Sequence, residues 1–270
     1  MNTFPDLQWN WYPSVVIGLA LWTLAYELLT GTSGGRFAGS AAPARGQRLA
    51  FHAGTLIALL ALVSPVDELG DEYLFSAHML QHLLLMFGAA ALWVIGLPGW
   101  LVDGLIPAFL RRPAQLLTRP LAAYMIFAGI MFLWHIPGIY QIAQENEGLH
   151  IFEHLTFMGA AMIGWWPVWG GRAQFLTTTS SPVRVLYTFL LAFPCTALAA
   201  ILTFARAPLY PLYMHSSGIA GLSPIEDQRL GGLMMWFPTH MVILLALGFA
   251  FFRWMSHERE KSLPAALKES

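Results

Sequence analysis

The chain has 270 residues, of which 57% are hydrophobic and only 11% are charged, against about 25% charged residues in an average soluble domain. A net charge of −1 lacks the basic surplus of nucleic-acid-binding proteins, and one cysteine excludes an internal disulfide and a CxxC motif. We therefore expect a membrane protein whose chemistry resides in the few polar side chains of its apolar segments.

Seven apolar segments follow one another along the chain, each close to the roughly 20 residues that a helix needs to cross a bilayer. They lie at about residues 11–30, 48–65, 75–97, 121–140, 149–170, 184–205 and 229–254. Helices are expected because only a helix satisfies its own backbone groups in lipid, and the runs lack the alternation of barrel strands. The sequence thus predicts an all-α bundle of seven transmembrane helices over residues 1–255, one domain, with a cytoplasmic tail at 256–270.

The basic residues predict the orientation of this bundle. Twelve of the fourteen Lys and Arg residues lie in the first, third and fifth connections and at the C-terminal end. Because positive charge concentrates in cytoplasmic connections, we expect the N-terminus outside the cytoplasm and the C-terminus inside it.

Histidines concentrate at the predicted extracytoplasmic ends of these segments. Six of the nine lie there: His78, His82, His135, His150, His154 and His215. Ionisable groups are costly in a bilayer and tend to mark function. We therefore predict a metal or haem site at this membrane face.

Two of the segments share one spacing, with two histidines four residues apart and a methionine four residues further on. These are His78, His82 and Met86 in SAHMLQHLLLM, and His150, His154 and Met158 in HIFEHLTFM. Residues four apart share a helix face, so each helix is expected to carry a stripe of two imidazoles and a thioether. Imidazole suits copper, zinc and iron, and thioether narrows the preference toward Cu(I).

Three further residues are candidates for the same site. Met234 is predicted near the same face, and Glu153, next to His154, is expected to orient an imidazole or to bind the metal itself. For Asp227 three roles stay open: binding the metal, neutralising its charge, or pairing with Arg229.

The ordered motifs SAHMLQHLLLM, IGLPGW, LWHIPGIY, HIFEH, GWWPVWG and DQRLGGLMMW resemble the caa3-type cytochrome c oxidase assembly factor family, the CtaG-like proteins. The resemblance covers roughly residues 12–255. The resemblance implies a non-enzymatic protein of the bacterial cytoplasmic membrane that supplies copper to the buried copper centre in the catalytic subunit of a haem-copper oxidase. The motif positions that carry over are His78, His82, His135, His150, His154, Asp227 and Met234. A separate extracytoplasmic copper donor and a homodimer stay open.

Two other functions compete with copper delivery. His150, Glu153 and His154 spell H-x-x-E-H, the order of the inverted zinc-peptidase motif, which predicts an intramembrane metallopeptidase. Alternatively, facing histidines such as His78 and His154 could hold a haem by bis-imidazole ligation.

Overall fold

The computed structural model is 83% helical. It describes residues 7–31, 41–171, 173, 175–216 and 221–262, and no strand occurs among them. The prediction of an all-α protein is confirmed.

Seven long helices lie in the described residues: α1 Pro13–Thr30, α2 Arg45–Val63, α3 Phe75–Gly96, α4 Pro120–Trp134, α5 Glu147–Trp169, α6 Ser181–Phe204 and α7 Pro224–Ser262. Two of them are composite. The α3 helix joins α-helices Phe75–Leu83 and Ala90–Gly96 through a π-helix, Leu84–Ala89, and α6 joins Ser181–Leu190 to Ala192–Phe204. Short elements connect the long helices: Pro65–Glu68, the π-helix Leu69–Tyr73, Gly99–Leu105, the 3₁₀ turn Ala108–Leu110, Arg111–Leu117, Pro137–Gln144 and the 3₁₀ turn Pro211–Ser216.

Five of the described helices are long and apolar enough to cross a membrane, namely α1, α2, α3, α6 and α7. A sixth span results if Ala108–Leu117 and α4, which are bent by 77° relative to each other, count together. The α5 helix coincides with the fifth predicted segment but is not among these apolar helices. The count of seven spans and the orientation of the termini therefore stay predictions.

The fourth predicted segment, 121–140, is broken near its end. The α4 helix ends at Trp134, and a new helix begins at Pro137. Proline lacks the backbone N–H that would continue the helix, and it biases the preceding residue toward an extended backbone; Ile136 accordingly has φ −65° and ψ 121°. His135 thus lies in the break between two helices.

The last helix exceeds its predicted bounds of 229–254. It runs for 39 residues from Pro224 to Ser262 with Pro238 inside it. The beginning of the predicted tail, 256–270, is therefore helical, and residues 263–270 lie outside the described part of the chain.

The α3 helix lies at the centre of the bundle and α1 at its edge. Of the most apolar stretch of each, 67% is buried in α3 but only 11% in α1.

Close approach of α7 to its neighbours depends on two glycines. A Cβ atom on Gly231 would lie 2.7 Å from a ring carbon of Phe75, and one on Gly232 would lie 3.0 Å from the carbonyl oxygen of Ala199. Small residues at such positions let membrane helices pack closely.

Candidate metal centre

Three imidazoles from two helices meet at one end of α3. His78 and His82 of α3 and His154 of α5 each offer a ring nitrogen, and the three ligand atoms lie within 4.8 Å of one another. The ring centroid of His82 lies 4.2 Å from that of His78 and 5.2 Å from that of His154. We call these three residues the imidazole cluster. Each predicted histidine pair thus contributes to one buried group.

A second group shares His78 with the first and includes a carboxylate. Asp71 Oδ1 lies 3.6 Å from His78 Nδ1 and 3.7 Å from His150 Nε2. We call Asp71, His78 and His150 the aspartate cluster, whose ligand atoms also lie within 4.8 Å of one another. Sequence reasoning did not identify Asp71 as a ligand.

Two more predicted residues border the imidazole cluster. Glu153 is fully buried, and its Oε1 lies 3.8 Å from His82 Nε2. The ring centroid of His135 lies 6.3 Å from that of His82. His135 Nδ1 lies 2.7 Å from the carbonyl oxygen of Met131. Because that carbonyl can only accept, Nδ1 carries the proton and Nε2 keeps the lone pair that a metal needs.

Buried polar atoms without a hydrogen-bond partner concentrate in this region. Among the described residues they include His78 Nδ1, both ring nitrogens of His82, His135 Nε2, His150 Nε2, His154 Nε2, Asp71 Oδ1 and both carboxylate oxygens of Glu153. Most buried polar groups in proteins are hydrogen-bonded, so each exception needs an explanation. A donor set of imidazole nitrogens and carboxylate oxygens fits a copper, zinc or iron ion.

Asp227 fixes the start of the helix that carries His78 and His82. Its carboxylate accepts hydrogen bonds from the backbone N–H groups of Phe75, at 2.7 Å, and Ser76, at 3.1 Å, and from the Ser76 hydroxyl. The N-cap residue of that helix, Leu74, cannot supply such an acceptor, so a residue of α7 caps α3. Metal binding by Asp227 stays a prediction, but both of its oxygens already accept hydrogen bonds.

The α5 helix has a local cap of its own. The Asn146 side chain accepts a hydrogen bond of 3.0 Å from the backbone N–H of Leu149, which is the usual function of asparagine at an N-cap. Because α5 begins there, His150 and His154 lie in its first two turns, next to α3.

A layer of buried tyrosines holds the segments above the histidines. The Tyr213 hydroxyl donates to the carbonyl oxygen of Gly70 at 2.8 Å and lies 2.7 Å from the Tyr140 hydroxyl. The Tyr210 hydroxyl donates to the carbonyl oxygen of His135 at 3.0 Å. These bonds position the π-helix of Asp71 and the break that contains His135. Sequence reasoning missed this layer, because tyrosines near span ends are usually interfacial anchors.

The predicted methionine ligands pack in apolar surroundings. Met86 is buried in a hydrophobic cluster that α3 forms with α4, α5, α6 and α7, and Met234 packs against the same cluster. Met158 packs against a second hydrophobic cluster, which α1, α2 and α3 form. The expected stripe assumed a regular α-helix, but α3 becomes a π-helix at Leu84. A π-turn bonds residue i to i+5 and shifts the register after it. Ligation by these three thioethers stays a prediction, and the His215 side chain lies outside the described part of the structure.

An open apolar cleft of about 530 Å³ between α1 and α5 reaches the imidazole cluster. Trp22, Trp93 and Met158 line it, and His154 forms part of its wall. One cluster histidine therefore borders a space accessible from the side of the helix bundle.

The apolar helices and the buried histidine clusters define a polytopic helical membrane protein with a candidate metal centre. A family model described as "Cytochrome c oxidase caa3 assembly factor (Caa3_CtaG)" matches residues 24–257. The chain belongs to this family, which confirms the resemblance drawn from the motifs. No curated protein and no solved structure matches the chain. Membership associates the protein with a cytochrome oxidase and with the non-catalytic role of an assembly factor. Its long apolar helices associate it with lipid.

Proposed function

We propose that this assembly factor binds copper, as Cu(I), at the imidazole cluster and delivers it to the buried copper centre in the catalytic subunit of a haem-copper oxidase. The observation that carries the proposal is the set of buried ring nitrogens without hydrogen-bond partners in His78, His82 and His154. Neutral imidazoles with free lone pairs are suitable ligands for copper. Cu(I) is the cargo of the protein and leaves with the partner.

The spacing of the imidazoles favours a small cation over haem. A porphyrin between His78 and His154 would need a planar slot several ångströms wide. The centroid of the His82 ring lies 4.2 Å from that of His78 and 5.2 Å from that of His154. The His82 imidazole therefore occupies space beside both rings that a porphyrin would need. We therefore prefer copper to the haem alternative.

The peptidase alternative is also weaker. It requires His150 and His154 to bind one zinc ion and Glu153 to activate a water molecule. Among the described residues, His154 belongs to the imidazole cluster with His78 and His82. His150 belongs to the aspartate cluster with Asp71 and His78. The H-x-x-E-H sequence therefore supplies ligands to two different groups.

Delivery to a membrane partner requires a route that avoids water. The apolar cleft between α1 and α5 borders His154, so a partner helix in the bilayer can approach this ligand laterally. A histidine of the partner then replaces His154 on the copper ion, and the remaining ligands exchange in turn. We propose that this takes place on the extracytoplasmic side of the bacterial cytoplasmic membrane. An extracytoplasmic copper donor and a homodimer remain compatible with this route.

The test is copper retention by the purified protein. We expect the wild type to hold copper in detergent and the pair His78→Ala plus His154→Ala to lose it, as measured by elemental analysis. His240→Ala is the matched control, because the His240 ring is hydrogen-bonded to Trp236 and Thr196 in another part of the bundle. In a deletion strain, the control should restore oxidase activity and the double variant should not. Copper-free wild-type protein, or full retention by the double variant, would refute the proposal.

A further inference from the structure

We propose that the aspartate cluster is a capture site that loads copper into the imidazole cluster through their common residue, His78. This inference rests on the proposed function and adds the path by which the ion enters. It assigns a role to Asp71, which neither the motifs nor the family description identifies.

The imidazole cluster is less exposed than Asp71 and His150, the two residues that only the aspartate cluster contains. The Asp71 side chain is 29% exposed, that of His150 is 15% exposed, and that of His78 is fully buried. His82 and His154 lie beyond His78 at 4% and 7% exposure. An ion from water therefore meets the carboxylate first and the imidazole cluster last.

The two clusters also differ in the donor atoms that they offer a metal. The aspartate cluster offers one carboxylate oxygen and two ring nitrogens, whereas the imidazole cluster offers three ring nitrogens. A carboxylate attracts a cation by its charge, but oxygen is a poorer ligand than nitrogen for a soft ion such as Cu(I). Asp71 is thus suited to capture, and His82 and His154 are suited to retention.

The position of Asp71 is fixed by close backbone packing. A Cβ atom on its neighbour Gly70 would lie 2.9 Å from both the N and the Cα of His78. Only a glycine allows the π-helix Leu69–Tyr73 to lie against the backbone of α3 at this point. The carboxylate is consequently held beside the histidine that both clusters share.

The transfer is a ligand exchange without redox change. Copper stays Cu(I) throughout, its bonds to Asp71 and His150 break, and bonds to His82 and His154 form. A neutral imidazole binds a metal through its unprotonated ring nitrogen, so the exchange releases no proton. Because His78 belongs to both clusters, the ion does not have to return to water between them.

Rapid mixing of the full-length protein in detergent with Cu(I) bicinchoninate separates capture from retention, because loss of the chelate colour reports loading. We expect Asp71→Asn to slow loading on the order of tenfold or more, since it removes the charge that attracts the ion. The final copper content should equal that of the wild type. Glu72→Gln, an exposed neighbour, is the matched control and should load at the wild-type rate.

A variant of the retention site should behave in the opposite way. His82→Ala is expected to decolour the chelate at the wild-type rate and then to release the ion on gel filtration. His150→Gln provides a second capture variant in case Asp71→Asn misfolds, as judged by its elution volume. Loading of folded Asp71→Asn or His150→Gln at the wild-type rate would overturn the inference and leave the copper proposal intact. A lowered final copper content in these variants would also overturn it, because both clusters would then form one site. Failure of the wild type to take copper would refute the proposed function itself.

Discussion

Two buried carboxylates lie near the same end of α3 and differ in their surroundings. Asp227, at 3% exposure, accepts hydrogen bonds from two backbone N–H groups and a hydroxyl at the start of α3. Glu153, at 0% exposure, has no hydrogen-bond partner for either oxygen and lies beside His82. The sequence made both residues candidates for binding the metal, with other roles left open.

The difference in hydrogen bonding distinguishes a carboxylate that stabilises the fold from one whose oxygens are free to bind a metal. A buried charged group without partners is costly unless a cation or a proton compensates for it. Asp227 is compensated by the helix N-terminus that it caps, where backbone donors and the helix dipole favour negative charge. Glu153 accepts no side-chain hydrogen bond among the described residues, so a proton or a bound cation has to compensate for its charge.

Asp227→Ala should have the largest effect on stability. The substitution leaves the backbone N–H groups of Phe75 and Ser76 buried without an acceptor, at a cost of about 3 kcal/mol in the free energy of unfolding. The measurement is the denaturant midpoint of the purified protein, followed by circular dichroism. Asp227→Asn keeps a carbonyl oxygen as acceptor and should recover part of the loss.

A contrary result for Asp227 would break the comparison. If Asp227→Ala were as stable as the wild type but lost its copper, Asp227 would act as a ligand, as the sequence allowed, and the cap would be incidental. Retention of copper by the folded fraction is expected instead.

Sequence reasoning found the helices and the histidine pairs, because both follow from short-range periodicity and from the cost of polar groups in lipid. It could not assign Asp227, since the donors that Asp227 meets, Phe75 and Ser76, lie about 150 positions earlier in the chain. It missed Asp71 for the same reason, since only tertiary packing brings this residue to His150.

The π-helix Leu84–Ala89 could not be predicted either, because no apolar pattern distinguishes it from a regular helix. It changes the register on which the assignment of Met86 depended. The break before Pro137, in contrast, had a visible signal in the proline, and this break positions His135. Local signals thus located the site, whereas the identity of its ligands depended on contacts between distant segments.

Glu153→Gln should weaken copper binding with little loss of stability. No hydrogen bond to Glu153 is lost among the described residues, and removal of a buried charge relieves a desolvation cost. Copper affinity, measured by competition with bicinchoninate, should fall about 10- to 100-fold, as for other groups that support metal ligands. Glu147→Gln, an exposed change on the same helix, is the control. Destabilisation as large as that of Asp227→Ala would mean that Glu153 holds the fold together rather than the ion.

Asp67 extends the comparison to a carboxylate that is only partly compensated. It accepts a hydrogen bond of 2.6 Å from Gln81 Nε2 and lies in Pro65–Glu68, outside the membrane-spanning helices. Burial, and then the charge of Asp71, raise the pKa of Asp67 from 3.8 to about 7. The unfolded chain therefore loses this proton at lower pH than the folded protein does.

The consequence is a stability that falls as pH rises between these two pKa values and levels off above about pH 7. Asp67→Asn keeps an acceptor for Gln81 but cannot ionise, so its melting temperature should fall less over that interval and exceed that of the wild type at higher pH. Thermal unfolding of both proteins from about pH 4 to about pH 8 gives the comparison. Parallel profiles would show that Asp67 is compensated as fully as Asp227. A carboxylate with a strong donor would then suffice to hold a charge at this face, and the lack of partners around Glu153 would be the more distinctive feature.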